Sequence, residues 1–151
     1  MKAVLFYLFV IFICIPLSAC SDQPDSPQLT LTSVDGTIIE LDDQSPLTAL
    51  FFFSVSNPVA LGALYRLSDE LDDAADSIAI AMHVNRPPNI TIMQQRTLVP
   101  IVIDEADRIS EAFGSIELTP ALILVRKGRI LVKQQGRLDF EVINRVIHDQ
   151  E

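Results

Sequence analysis

The sequence is poor in basic residues, glycine and cysteine, and it contains no tryptophan. It has 11 Lys and Arg against 20 Asp and Glu, for a formal net charge of -9. This balance argues against a nucleic-acid partner, because phosphate binding requires a basic face. Glycine and proline number only 5 and 9, while 49% of the 151 residues are hydrophobic. That composition excludes disordered and fibrous chains and suits one globular domain.

Apolar residues are most concentrated at the start of the chain. Lys2 precedes the apolar run 3–15, and the motif Leu-Ser-Ala-Cys follows at 17–20. A charged start, a short apolar run and small residues before a cleavage site are typical of a secretory signal peptide. The run is short for a membrane-spanning helix. The motif resembles the lipobox of bacterial lipoproteins, which implies cleavage after residue 19 and acylation of Cys20. An uncleaved anchor helix and an ordinary signal cut near Ala19 are the alternatives.

Lipidation would decide the chemistry of both cysteines. Cys14 would leave with the signal peptide 1–19 and Cys20 would carry lipid, so the rest of the chain has no free thiol and no internal disulfide. Several acyl chains anchor a protein firmly to a bilayer. The polar stretch 20–28 is predicted to be a flexible tether. We therefore expect a bacterial cell-envelope protein facing the periplasm, and Ser21 favours the outer membrane under the sorting rule of enterobacterial lipoproteins.

Residues 29–151 are predicted to form one domain of strands and helices. Asp35-Gly36 between short apolar stretches predicts a hairpin, and the apolar run 48–53 is typical of a strand buried on both faces. Pro58 suits a first helical turn, with Ser56 or Asn57 as the cap. Strands are predicted over 29–32, 38–41, 48–53, 77–84, 99–104, 121–126 and 130–135, and helices over 58–75, 90–97, 108–113 and 139–148. This order predicts an α/β domain with a mixed sheet flanked by helices.

Four local motifs follow one another along this domain: a hairpin at 31–38, an aromatic strand and helix start at 50–59, a Thr-Pro segment at 117–121 and a charged glycine turn at 125–130. Together they resemble the thioredoxin-like redoxin group, which contains membrane-tethered thiol–disulfide oxidoreductases and peroxiredoxin relatives. The resemblance covers about 29–147. It implies a thioredoxin-like fold with an N-terminal β-hairpin, and a cis peptide bond before Pro120 that faces the active-site helix.

The departure from the family lies in its active-site motif, Trp-Cys-Gly-Pro-Cys. Aligning Pro58 with the motif proline puts Val55 at the tryptophan, Ser56 at the nucleophilic cysteine and Val59 at the resolving cysteine. Disulfide exchange needs a thiolate whose pKa is lowered by the helix start, together with a second thiol. The resemblance therefore implies a degenerate member with no catalytic residue.

Ser56 has three alternatives to a role as helix cap or an inert relic. A hydrolytic serine needs an imidazole base, and the sequence offers only His83 and His148, so a cap is the simpler interpretation. A second alternative is a glutathione-type ligand held by Ser56 and Pro120. A third is a redoxin-type oxidoreductase that depends on a partner's thiols.

No metal site and no cofactor are expected. The two histidines lie far apart in the sequence, and acidic groups such as 69–70 and 72–73 are typical of a solvated helix face. The stretch 104–107 lacks the glycine and terminal glutamate of a calcium loop.

These observations favour a lipid-anchored, redox-inactive thioredoxin-like module that binds or assists another protein. Its expected partners are the membrane, through the lipid, and an envelope protein or peptide. The binding surface is predicted at a site that we call the candidate groove, formed by Val55, Ser56, Asn57, Pro58, Thr119 and Pro120.

Overall fold

The computed structural model describes residues 24–71, 74–85 and 87–149. The predicted signal peptide, Cys20 and the first residues of the predicted tether lie outside these ranges. A short 3-10 turn, Glu105–Asp107, precedes α4. The elements are β1 Leu29–Thr32, β2 Ile38–Leu41, β3 Thr48–Ser54, α1 Pro58–Leu64, α2 Leu67–Glu70, β4 Asp76–Met82, α3 Pro87–Gln94, β5 Ile101–Ile103, α4 Arg108–Ala112, β6 Ala121–Arg126, β7 Arg129–Gln135 and α5 Phe140–His148.

Five strands form a mixed central sheet in the order β5-β4-β3-β6-β7, and β1 and β2 form a separate antiparallel hairpin. β3, β4 and β5 are parallel, whereas β6 and β7 are antiparallel to their neighbours. Ser33 at the end of the hairpin bridges to Val102 of β5, which attaches the hairpin to the sheet. The predicted α/β class, mixed sheet and N-terminal hairpin are confirmed.

The aromatic run in β3 supplies the core on both faces of the sheet. Phe51 and Phe53 point to the face covered by α1 and α5, and their ring centroids lie 6.3 Å apart. Phe52 points to the opposite face, where it packs edge-on against Phe113 with the ring centroids 6.2 Å apart. All three rings of the run are fully buried. The alternation follows from the two-residue period of a strand, and it confirms β3 as a central strand.

The tip of the hairpin holds the Asp35 carboxylate in a small set of hydrogen bonds. The Ser33 hydroxyl donates to Asp35, and the Thr37 N–H donates to the same Asp35 oxygen at 3.1 Å. These hydrogen bonds stabilise the charged form, so they lower the pKa of Asp35 below its ordinary value.

Two helices differ from the sequence prediction. The helix expected over 58–75 is broken at Tyr65 and Arg66 into α1 and α2. Apolar spacing reports which face is buried, not whether the backbone hydrogen bonds are continuous, so the leucine pattern runs across the break. The helix expected over 90–97 begins earlier, at Pro87. Proline is tolerated in a first turn because its missing N–H has no partner there.

Part of the predicted flexible tether is paired with the domain. Asp25 forms an antiparallel bridge with Arg129, the Ser26 N–H donates to the Gly128 carbonyl at 2.8 Å, and the Ile130 N–H donates to the Pro24 carbonyl at 3.0 Å. The prediction of a free spacer is therefore wrong for 24–26, because the outer edge of β7 offers unpaired backbone groups to this segment.

None of the helices in the described ranges has the length and apolar character needed to cross a bilayer.

Candidate functional site

The candidate groove starts where β3 ends and α1 begins. Asn57 is the N-cap of α1, and its Oδ1 accepts hydrogen bonds from Val59 N at 3.0 Å and Ala60 N at 3.3 Å. Pro58 follows at a position where a helix needs no N–H. The Ser56 hydroxyl instead lies 2.9 Å from the Ser54 hydroxyl. Of the two predicted caps, Asn57 is confirmed and Ser56 is wrong, because the side-chain oxygen of Asn57 already accepts from the first free N–H groups.

Asn57 also joins the two walls of the groove. Its Nδ2 donates to the Thr119 carbonyl at 2.7 Å and lies 3.4 Å from the Thr119 Oγ1. The Thr119–Pro120 peptide bond is cis, which confirms the expectation drawn from the family resemblance. One half-buried side chain thus holds the helix start against a loop 62 residues further along the chain.

The loop that contains Pro120 is fastened from β7. Gln135 Oε1 accepts from Glu117 N at 2.8 Å and from Leu118 N at 3.2 Å. Gly136 N donates to the Pro120 carbonyl at 2.8 Å. Gly136 has a positive φ of 79°, a backbone conformation that glycine adopts readily and L side chains rarely do.

Exposed apolar side chains occur on each wall of the groove. Val59, in the first turn of α1, is 69% exposed, and Leu118, beside Thr119, is 60% exposed. Val55 is half-buried, while Pro58 is exposed and Pro120 is buried. Leu118 was not among the predicted groove residues, although its position directly before Thr119-Pro120 could have indicated it. The groove therefore offers apolar surface next to hydroxyl and amide groups.

Sulfur chemistry is absent from the described part of the groove. Ser56 lies just before α1 and Val59 lies within its first turn, where the resemblance puts the two thiols. Both cysteines of the sequence, Cys14 and Cys20, precede the described ranges. A disulfide therefore cannot form between the residues of this groove.

The histidines do not complete a serine-based catalytic site. The Ser56 hydroxyl pairs with Ser54, whereas His83 Nδ1 lies 3.5 Å from Asp107 Oδ1. His148 ends α5. A hydrolytic serine needs hydrogen-bond contact with its base, and the contacts at Ser56 provide a hydroxyl partner instead.

The acidic stretch after β5 has a structural role. Asp104 is only 4% exposed, and its two carboxylate oxygens accept from Ile109 N at 2.7 Å and Ser110 N at 2.9 Å. These bonds satisfy free N–H groups at the start of α4. Across the described residues, no group of three or more His, Cys, Asp or Glu side chains is arranged to hold a metal ion.

Two cavities lie away from the candidate groove. One of about 560 Å³ lies between β1 and the segment 102–109, and one of about 680 Å³ lies beside β2 and the start of β4. Neither is lined by a residue of the candidate groove. The candidate groove is therefore distinct from both cavities.

Comparison of the sequence with known protein families and with curated proteins found no match. Solved structures do resemble the fold. MTB DsbF, in mixed oxidized and reduced forms, is 15% identical with a TM-score of 0.69, covering 83% of this chain and 99% of that one. An exposed lipoprotein thioredoxin of Streptococcus pneumoniae is 16% identical with a TM-score of 0.67, covering 82% and 99%.

A thioredoxin-family thiol:disulfide interchange protein of Chlorobium tepidum is also similar. It is 16% identical with a TM-score of 0.68, and the match covers 87% of this chain and 98% of that one. Identities at this level establish shared architecture and leave the chemistry to the residues of the site. The chain therefore has a thioredoxin-like fold, with a mixed five-stranded sheet flanked by helices and an N-terminal antiparallel hairpin.

Proposed function

We propose that this chain is a redox-inactive thioredoxin-fold protein that binds an extended polypeptide segment in the candidate groove. The observation that carries the proposal is the 2.7 Å hydrogen bond from Asn57 Nδ2 to the Thr119 carbonyl. It holds the helix start against the cis-proline loop, at a place where Ser56 and Val59 replace the thiols. The two walls of the groove are thus held together, but the two thiols that the redoxin group uses there are missing.

The surface chemistry of the groove supports non-covalent binding of a polypeptide. Val59 and Leu118 are mostly exposed, and burying one such side chain contributes roughly 1.5–3 kcal/mol. Hydroxyl and amide groups of Ser56, Asn57 and Thr119 lie beside them. An extended segment can place alternate apolar side chains on such a surface while its backbone bonds to the loop.

The glutathione-type alternative receives less support from the helix start. A bound thiolate would need free N–H groups there, but Asn57 Oδ1 already accepts from Val59 N and Ala60 N. The redoxin-type alternative draws support from the names of structural neighbours, which include a thiol:disulfide interchange protein. It requires every thiol to come from a partner, because the chain after Cys20 contains none.

The same proposal includes a lipid anchor at Cys20 and a place in the bacterial cell envelope, facing the periplasm. It is supported by the lipobox-like motif at 17–20. The structurally similar exposed lipoprotein thioredoxin of Streptococcus pneumoniae is in line with this location. A preference for the outer membrane rests on Ser21 alone.

The binding proposal is tested with S-carboxymethylated insulin B chain, an extended polypeptide that has no free thiol. Fluorescence anisotropy of the dye-labelled chain measures its affinity for the purified protein. We expect Val59→Asp to weaken binding about tenfold or more, because a charge replaces apolar contact. Ile38→Asp is the matched control, since Ile38 is 68% exposed and lies on β2, away from the groove.

Equal binding by the wild type and the Val59→Asp variant would remove the groove as the binding surface. Insulin reduction with dithiothreitol tests the redox claim separately. We expect turnover no faster than with dithiothreitol alone. Faster turnover would favour the oxidoreductase alternative.

A further inference from the structure

A second candidate site lies at the end of the sheet opposite the candidate groove. Thr48 starts β3 and Asp76 starts β4 beside it, whereas the groove follows Ser54 at the other end of β3. A cavity of about 680 Å³ opens there between β2, α2 and the segment before β5. Its size fits a few side chains of a ligand or partner.

The buried floor of this cavity is apolar. Leu41, Ile78 and Val99 line it and are buried in the core. Leu98, also in the lining, is 99% exposed. A leucine with almost no protein contact beside an apolar cavity leaves surface that a partner can cover.

Carboxylates surround the same opening. Among the described residues, Glu40, Asp69 and Asp76 line the cavity, and no Lys, Arg or His does. None of these three carboxylates has a hydrogen bond or an ion pair with another residue in the described ranges. By contrast, Glu70 and Glu105 are paired with neighbouring arginines. The cavity thus combines apolar walls with unpaired negative charge.

We propose that this cavity docks a polypeptide partner through a Lys or Arg side chain flanked by aliphatic side chains. The long methylene stem of a basic residue packs against the floor at Leu41 and Ile78, and its charged head reaches the carboxylates at the rim. A neighbouring aliphatic side chain covers Leu98. The site is separate from the candidate groove, so it does not depend on the function proposed there.

The test uses the acylated protein in nonionic detergent and the blocked tripeptide Ac-Leu-Lys-Leu-NH2 as the probe, followed by amide NMR shifts. We expect shifts at residues that line the cavity, and weaker binding in 0.5 M salt because exposed charge pairs are screened. Ac-Leu-Gln-Leu-NH2 and Ac-Leu-Glu-Leu-NH2 have the same apolar residues and are expected to bind more weakly, in that order.

Two variants locate the interaction. The triple variant Glu40→Gln/Asp69→Asn/Asp76→Asn is expected to lose about tenfold in affinity for the Lys peptide. Each exposed ion pair with the Lys head contributes only modestly, but the variant removes all three carboxylates. Leu98→Ser changes one fully exposed side chain and is expected to weaken all three peptides. The control variant removes three exposed carboxylates elsewhere: Glu111→Gln/Glu141→Gln/Asp149→Asn.

We expect the control variant to keep wild-type affinity within twofold. Equal losses in both triple variants would reduce the effect to overall charge and overturn the proposal. Equal affinity for the Lys and Glu peptides, shifts outside the cavity, or no binding of the Lys peptide at millimolar concentration would also overturn it.

Discussion

Replacing Asn57 with alanine removes two separate interactions at the groove. The first is the cap, in which Asn57 Oδ1 accepts from Val59 N and Ala60 N. Loss of such a cap costs about 1 kcal/mol. The second is the bond from Nδ2 to the Thr119 carbonyl at 2.7 Å, and a typical hydrogen bond contributes about 1 kcal/mol net. We therefore expect Asn57→Ala to lower the free energy of unfolding by about 2 kcal/mol.

Asn57→Ser separates the two contributions. A serine oxygen still caps the helix, but the shorter side chain cannot reach across to Thr119. We therefore expect this variant to lose about 1 kcal/mol, half the loss of Asn57→Ala. For a domain of this size, 2 kcal/mol corresponds to a melting temperature lower by about 8 °C.

Urea unfolding followed by far-UV circular dichroism is the suitable assay, because the chain has no tryptophan and only 2 tyrosines. The slope of the transition should stay unchanged, which would place the effect in the folded state. An alanine variant within 0.5 kcal/mol of the wild type would refute the assigned roles of Asn57. A serine variant as unstable as the alanine variant would refute only the contribution that we assign to the helix cap.

Three further predictions concern the thiol positions, the lipid and the hairpin. The double variant Ser56→Cys/Val59→Cys should form a reducible disulfide, and the pKa of its first thiol should be lowered, as measured by maleimide reactivity against pH. Thiols that react like free cysteine and never pair would contradict the alignment with the family motif. Cys20→Ala, or globomycin, should make the unprocessed precursor accumulate on gels, and unchanged mobility under both would exclude lipidation. Because hydrogen bonds lower the pKa of Asp35, its contribution to hairpin stability is full above the unfolded pKa of about 3.9 and is lost as the pH falls through the lower folded value. Ser33→Ala should raise that pKa in a carboxyl NMR titration, and an unchanged midpoint would contradict the assigned cause.

Elements with strong local patterns were predictable from the sequence. The strand at 121–126 matches the prediction, and that at 48–53 is longer by one residue. The final helix begins at Phe140 with Asp139 as its cap, whose side chain accepts from Val142 N. Asp35-Gly36 correctly indicated the hairpin. In each case a short-range signal, such as an apolar run, a cap or a turn sequence, is enough to specify the local structure.

Features without a local signal in the sequence were not predictable in this way. The break at Tyr65–Arg66 interrupts a continuous leucine pattern. The pairing of 24–26 with the β6–β7 turn needs an available strand edge about a hundred residues later. No local pattern shows that either will occur, because periodicity records burial and not the course of the backbone hydrogen bonds.

The candidate site divides along the same line. The sequence by itself determined its composition: serine and valine at the thiol positions, Asn-Pro at the helix start and Thr-Pro before β6. It also determined the lack of any cysteine after Cys20. Only the tertiary structure decided that Asn57 caps α1 and bonds to Thr119 at once. Asparagine carries an acceptor and a donor on one side chain, and packing alone brings a second segment within reach of the donor.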